Sequence, residues 1–319
     1  MNTEQARWFG ENFANIVANI ERVVMGKTEA IRLAVACLLA EGHLLVEDYP
    51  GTGKTSLARA LAQSVAGTTS RIQFTPDLLP SDVTGVTIYD QKTGEFEFHQ
   101  GPIFASIVLA DEINRASPKT QSALLEVMEE SRVTVDGTSY PVGAPFMVIA
   151  TQNPIEQAGT YRLPEAQLDR FLMKTTLGYP DHDTTMRILA SGGSRPQSTA
   201  LPAVVSAAEV AEMSQLAGAV HIESSVLDYI VRLTEATRSA DDVRLGASVR
   251  GALALTRASR VWAASLGRHF VVPDDIKMLA IPCLAHRLIL DPEAEFNGVR
   301  AVDVMAGVIG AVPPPTERA

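Results

Sequence analysis

Phe9, Phe13, Ile16 and Ile20 recur at steps of four, three and four residues, a spacing that lines apolar side chains along one helical face, so an amphipathic helix packed on a core is expected to open the chain. A second helix is expected through Ile31, Val35, Cys37 and Leu39, ending at Gly42. The pattern then changes. Apolar runs of strand length at 43–47, 71–74, 106–112, 146–151 and 171–177 are interleaved with helical spacing at 56–62, 118–126 and 164–169. Two segments alternate about a turn instead: 86–90 with 95–98 around Lys92-Thr93-Gly94, and 132–135 with 140–142 around Asp136-Gly137. Both read as β-hairpins that add little to a core and project from it. Beyond Tyr179-Pro180-Asp181 the strand signals stop. A helix through Met186, Ile188 and Leu189 leads to a Gly/Ser joint at 191–196, and the remainder is helical, with a capping box at Ser206–Glu209 and apolar markers at Val226, Ile230, Leu233, 248–264, Ile276, Leu279, Leu284 and Leu288. Only the Pro313-Pro314-Pro315 tail reads as disordered. The expected organisation is an α/β core over 1–178, a linker with a short helix over 179–200, and a helical domain over 201–319.

Chemistry enters at the first strand-to-helix junction, Asp48-Tyr49-Pro50-Gly51-Thr52-Gly53-Lys54-Thr55-Ser56. Strand, Gly-rich turn and helix make the setting of a phosphate-binding loop, Pro50 to Ser56, in which the backbone N–H groups from Gly51 onward and the helix N-terminus face an anion. Gly51 and Gly53 let the backbone curl. Lys54 is placed for the β- and γ-phosphates and Thr55 for Mg²⁺, so ATP/ADP and Mg²⁺ are the expected cofactors. Asp48 stands where the general pattern has its first glycine. The run at 106–112 ends in Asp111 and Glu112: Asp111 is the candidate for the metal's hydration shell, and Glu112 for the base that deprotonates the attacking water. Asn153 ends another strand and is the candidate that aligns that water, against the plain alternative of a turn residue before Pro154. Arg170 follows a short helix, where the plain alternative is a surface pair with Asp169. Met25 and Gly26, in a small turn ahead of the first strand, are candidate walls of an adenine pocket or simple packing.

Composition limits the classes. A chain of 319 residues, 46% hydrophobic and 20% charged, can bury two domains. No apolar run has the length of a membrane span, and Met1-Asn2-Thr3-Glu4-Gln5 lacks the order of a signal peptide. Cys37 and Cys283, both in apolar company, read as buried free thiols, so a cytoplasmic protein is expected. A net charge of −10 argues against general affinity for nucleic acid.

Several stretches resemble the MoxR family of AAA+ ATPases: 45–55, Phe74-Thr75-Pro76-Asp77-Leu78-Leu79-Pro80-Ser81-Asp82, 101–104, 110–116, 150–154, Leu163-Pro164-Glu165-Ala166-Gln167-Leu168-Asp169-Arg170-Phe171 and 246–248. Asp48 in the loop is common in that family. The resemblance implies a five-stranded parallel αβα core with inserted hairpins, a helical lid, and a homo-oligomeric ring, usually a hexamer. It makes Asn153 sensor 1, Arg250 a sensor 2 reaching the γ-phosphate of its own subunit, and Arg170 an arginine finger for the neighbour. It implies protein clients, often metalloenzymes, reached through a separate partner bearing a von Willebrand factor A domain. Arg162 and Val249 depart from the family where Pro is usual, and Lys27 where Gln is usual. The hairpins also resemble insertions of replicative helicases, which makes a nucleic-acid motor the competing expectation. Lys92 stands against Asp90, Glu95 and Glu97, and Arg132 against Asp136, a balance that favours a protein client. A nucleotide-gated scaffold that barely hydrolyses would need a missing base or finger, and Glu112 and Arg170 are both present.

Overall fold

Each expected helix and strand forms, with its bounds set by what caps or pairs it. The computed structural model describes residues 1–153, 161, 163–190 and 201–315; Pro154, Arg162 and the joint at 191–196 lie outside them. In chain order the core contains α1 (Thr3–Glu21), α2 (Thr28–Leu39), β1 (Leu44–Glu47), α3 (Lys54–Ser64), β2 (Thr69–Gln73), α4 (Pro80–Thr84), β3 (Gly85–Asp90), β4 (Glu95–Gln100), β5 (Ile107–Asp111), α5 (Pro118–Glu130), β6 (Arg132–Val135), β7 (Thr138–Pro141), β8 (Met147–Gln152), α6 (Glu165–Leu168), β9 (Met173–Thr175) and α7 (His182–Ala190). The lid follows with α8 (Ala207–Gly218), α9 (Ser224–Arg238), β10 (Val243–Leu245), α10 (Val249–Ser265), α11 (Pro273–Leu284), β11 (Ile289–Leu290), α12 (Pro292–Phe296) and α13 (Ala301–Ala311). The β10–β11 ribbon and α13 carry no signal that the periodicity singled out.

The sheet is five-stranded in the order β2-β5-β8-β1-β9, with all neighbours parallel. Both faces are covered, so its interior strands are apolar throughout, and alternation decides which core each side chain joins. Leu44, Val46, Ile107, Leu109, Met147 and Ile149 pack with α1–α3 and the lid helices, while Leu45, Val108, Ala110, Val148 and Ala150 pack with Leu124, Leu125 and Met128 of α5. One apolar cluster therefore runs from the first helix through the sheet into the lid.

A buried cation reinforces that junction. Arg287, just after α11, is 2% exposed and donates to the Asp169 carboxylate at 2.7 Å and to the carbonyls of Phe171 and Asp169 at 2.7 and 3.1 Å. Cys283 O accepts another of its N–H groups. Ser248 adds a hydrogen bond to Asp169 at 3.0 Å. These lid contacts occupy the 169–172 backbone, and the strand expected over 171–177 is accordingly only Met173–Thr175. Pro313, expected in a disordered tail, has its carbonyl held by Arg232 at 2.9 Å.

The hairpins β3–β4 and β6–β7 form separate two-stranded sheets. They are joined by stacking of Phe98 on Tyr140, with ring centroids 4.3 Å apart. Towards the β3–β4 turn, Tyr89 and Phe96 pair across the strands at 5.2 Å, and Phe96 is 75% exposed.

His43 fastens the other end of the sheet. Its Nδ1 accepts from Val148 N at 3.0 Å, its Nε2 donates to Met128 O at 2.9 Å, and its carbonyl accepts from Leu172 N at 2.8 Å. Burial lowers its pKa from 6.5 to about 4. The folded state then holds this ring neutral where the unfolded chain binds a proton, so stability is complete above pH ~6.5 and is lost as pH falls toward 4. Urea denaturation should show roughly 2 kcal/mol less stability at about pH 5 than at about pH 7 from this ring alone. A flat profile across that window would show that the ring is solvated.

Candidate active site

Asp48 is the residue that shapes the loop. It is buried, and its two oxygens accept three backbone N–H groups: Tyr49 at 2.8 Å, Leu177 at 2.8 Å and Gly178 at 2.7 Å. A side chain that ties the loop to the chain beyond β9 explains a carboxylate at this position. Gly51 and Gly53 take φ of 83° and 97°, and a Cβ added to either meets nothing within 4 Å, so glycine is required there by conformation alone. Gly53 also caps α3, whose first residues, Lys54 and Thr55, face the cleft. Lys54 Nζ donates to the carbonyls of Asp48 and Tyr49 at 3.0 and 2.9 Å. Asp48→Gly restores the general loop pattern but removes three acceptors, so nucleotide affinity, read by titration calorimetry, should fall about tenfold or more. Unchanged affinity would show that the loop holds its shape without that tie.

Pro50 to Ser56, Asp111, Glu112, Thr151 and Asn153 line one cleft of about 390 Å³ with Arg71 and Gln73. Thr151, at the end of β8, sets both carboxylates: its hydroxyl donates to Asp111 Oδ1 at 2.6 Å and accepts from Glu112 N at 2.9 Å. Glu112 sits at φ 57°, a left-handed conformation that turns its side chain out of the strand direction. Its Oε2 accepts from Gln73 Nε2 at 2.8 Å and Arg115 Nη1 at 2.9 Å. Arg71 reaches Asp111 Oδ2 at 2.6 Å. The donors suit Mg²⁺: a hydroxyl, Thr55, and a carboxylate, Asp111, that already holds a cationic partner, with water and phosphate left to complete the shell. Among the described residues no group of three His, Cys, Asp or Glu could hold a metal ion. Arg71, Gln73 and Thr151 were not singled out from the sequence. The exposed, buried, exposed alternation of Arg71-Ile72-Gln73 is the signal that marks two polar side chains on one face of β2.

Three expected positions, Met25, Gly26 and Arg250, are not among the residues that line this cleft. Gly26 instead lies against Thr184 of α7, where an added Cβ would come within 2.9 Å of the Thr184 hydroxyl, and Lys27 binds Tyr179 O at 2.7 Å. Arg250, expected at its own subunit's γ-phosphate, lies in a different cleft of about 440 Å³ together with Arg170, Arg257, His43 and Phe146. There Glu129 accepts from both Arg170, at 3.0 Å, and Arg250. Arg170 Nε is buried with no hydrogen-bond partner among the described residues. The sheet explains the separation. Asp111, Glu112, Thr151, Asn153 and the loop follow the C-terminal ends of β5, β8 and β1, whereas His43, Phe146 and Arg170 precede β1, β8 and β9. With all strands parallel, the two clefts lie at opposite ends of the strands, about 13–20 Å apart for strands of four and six residues. An arginine side chain does not span that gap.

Residues 43–173 match the model of the ATPase family associated with various cellular activities (AAA), and 235–307 match an AAA lid domain. The chain is 50% identical to the uncharacterized protein YeaC of Bacillus subtilis, over 95% of this chain and 94% of that protein. It is 40% identical to chaperone MoxR1 of Mycobacterium tuberculosis, over 87% and 76%. Protein MoxR of Methylorubrum extorquens is 31% identical over 95% of both chains. The crystal structure of a candidate ATPase from Cytophaga hutchinsonii superposes with a TM-score of 0.92, at 38% identity and covering 98% of each chain.

Proposed function

The chain belongs to the MoxR family of AAA+ ATPases, and from that premise we propose that it hydrolyses Mg²⁺-bound ATP at the seams of a homo-oligomeric ring, a hexamer by the family resemblance, to remodel or mature a protein client. The observation that carries this reading is the division of the site. Among the described residues, the C-terminal ends of the strands hold a phosphate loop, two carboxylates and Asn153, while Arg170 and Arg250 line a cleft at the opposite ends of the strands. Successive subunits placed with these two ends facing complete each site, which is a head-to-tail contact that closes into a ring.

Within a seam, the loop amides and Lys54 hold the phosphates, and Thr55 and Asp111 hold the cation, which supplies charge neutralisation on the β- and γ-oxygens when bound. Glu112 accepts the proton of the attacking water while Asn153 fixes its position. Arg170 and Arg250 arrive from the neighbour as donors to charge that grows in the transition state. The adenine base is assigned to the turn at Met25-Gly26, which is tied towards the loop through Lys27, bonded to Tyr179 O, and Tyr179, stacked on Tyr49. Arg250 thus moves from a role within its own subunit to one across the seam.

The client side rests on the hairpins. Tyr89 and Phe96 are exposed and flanked by Asp90, Glu95 and Glu97, with Lys92 the cation between them. Aromatics on a carboxylate-rich hairpin suit an extended polypeptide and repel a phosphate backbone. The name chaperone carried by the Mycobacterium tuberculosis relative is in keeping with that reading. Buried free thiols at Cys37 and Cys283 suit a reducing compartment, and client and ring are assigned to the cytoplasm, with a separate von Willebrand factor A domain protein as adaptor by the family resemblance. The test is a pull-down with Glu112→Gln held in ATP, with and without nuclease. Retention of a nuclease-insensitive protein is expected; retention of DNA or RNA would replace the chaperone reading with a nucleic-acid motor.

A further inference from the structure

Arg71 has no part in the roles assigned so far, yet it reaches the residue on which metal loading depends. It lies on β2, the edge strand of the sheet, and lines the phosphate-loop cleft. Its Nη2 is 2.6 Å from Asp111 Oδ2, and the other oxygen of that carboxylate, Oδ1, accepts from Thr151 at 2.6 Å. The Asp111 side chain is 12% exposed, too covered to rely on water for its charge, while Arg71 is 53% exposed and has solvent to move into. The same Nη2 donates to Gln73 Oε1 at 3.0 Å, and Gln73 in turn holds Glu112. A hydrogen-bonded chain therefore runs from the candidate metal carboxylate to the candidate base by way of two side chains on one strand.

We propose that Arg71 is the internal counter-ion of Asp111, so that Mg²⁺ enters the site by exchange for a guanidinium and not by filling a bare carboxylate. This rests on the nucleotide reading above. A covered carboxylate without a cation is costly, and Arg71 removes that cost in the nucleotide-free subunit. With Oδ1 taken by Thr151, the guanidinium and the metal with its hydration shell compete for Oδ2. Metal affinity is therefore lower than the bare carboxylate would give, and the site responds to Mg²⁺ over a higher concentration range. Arg71 acts here as a positioning residue. It acts through Asp111 and Gln73, and its departure removes one of the hydrogen bonds that hold Gln73 against Glu112.

The exchange is read by binding, without turnover. A fluorescent ATP analogue is held at fixed concentration while Mg²⁺ is titrated, and its Kd is then measured at saturating Mg²⁺, for the parent chain and for Arg71→Gln. Arg71 is exposed on an edge strand, so the variant is expected to fold, and circular dichroism checks this. The Mg²⁺ midpoint should fall about threefold to tenfold in Arg71→Gln, the range for loss of a partly covered ion pair. The Kd at saturating Mg²⁺ should stay the same or tighten. Arg71→Lys keeps the charge on a less well matched head and should fall between the two. An unchanged or higher midpoint would overturn the proposal, as would a Kd weakened tenfold at saturating Mg²⁺, which marks an arginine that grips phosphate. Failure of the parent chain to bind the analogue at any Mg²⁺ concentration would strike the nucleotide reading itself, and this proposal with it; the other adverse results strike Arg71 alone.

Discussion

Glu112→Gln should bind ATP as the parent chain does and lose turnover by about 10²–10⁴-fold, the range for removing a positioned general base. The amide keeps the shape of the carboxylate and retains an oxygen for Arg115 and Gln73, both of which now meet Glu112 Oε2. What it loses is the capacity to take a proton. Nucleotide binding by calorimetry and phosphate release on the same preparation separate the two functions. Turnover within about twofold of the parent chain would remove Glu112 from this role.

Arg170→Ala should also bind ATP normally, because its side chain lies at the opposite end of the strands from the phosphate loop, and should lose about 10³-fold or more in turnover once assembled. The informative experiment is a mixture. A Lys54→Ala chain has a defective loop and an intact Arg170, and an Arg170→Ala chain has the reverse. Each alone is expected to be inactive, and mixing them should restore phosphate release at seams that combine the two intact halves. Two inactive chains that stay inactive when mixed, although they co-assemble, would place both halves of the site within one subunit. Arg250→Ala should behave as Arg170→Ala does in the mixture, since Glu129 holds the two guanidinium groups together.

Most of the nucleotide end was legible in the sequence because its parts are local. The loop needs two glycines within three residues, the acidic pair ends an apolar run, and both hairpins carry their own turn residues. What escaped depends on tertiary placement. The position of Arg250 is set by where the lid docks, and its neighbours in sequence give no sign that it lies beside Arg170. The short β9 follows from a lid arginine occupying the carbonyls of 169 and 171, a contact made across more than a hundred residues. Arg71 and Gln73 were readable as a polar face on β2, but their meaning comes from the side-chain contacts they make with Asp111 and Glu112, which the β2–β5 ladder, with Gln73 opposite Asp111, brings within reach. Asp48 broke a general motif, and its reason emerged only with the three backbone N–H groups it accepts.

The Arg287 clamp bears on how such a subunit can move. A lid that swung on its linker would have to withdraw a 2%-exposed guanidinium from the 169–172 backbone and open the apolar cluster that α1–α3 share with the lid helices. Stranding that charge alone costs several kcal/mol, before any apolar surface meets water. Hinge closure within the subunit is therefore the expensive route, and rotation of whole subunits against one another the cheap one. Mechanically, the chain is a rigid lever with a nucleotide loop at one end of its sheet and two arginines at the other. In the ring proposed above, a displacement at one seam would be carried to the next through this one body.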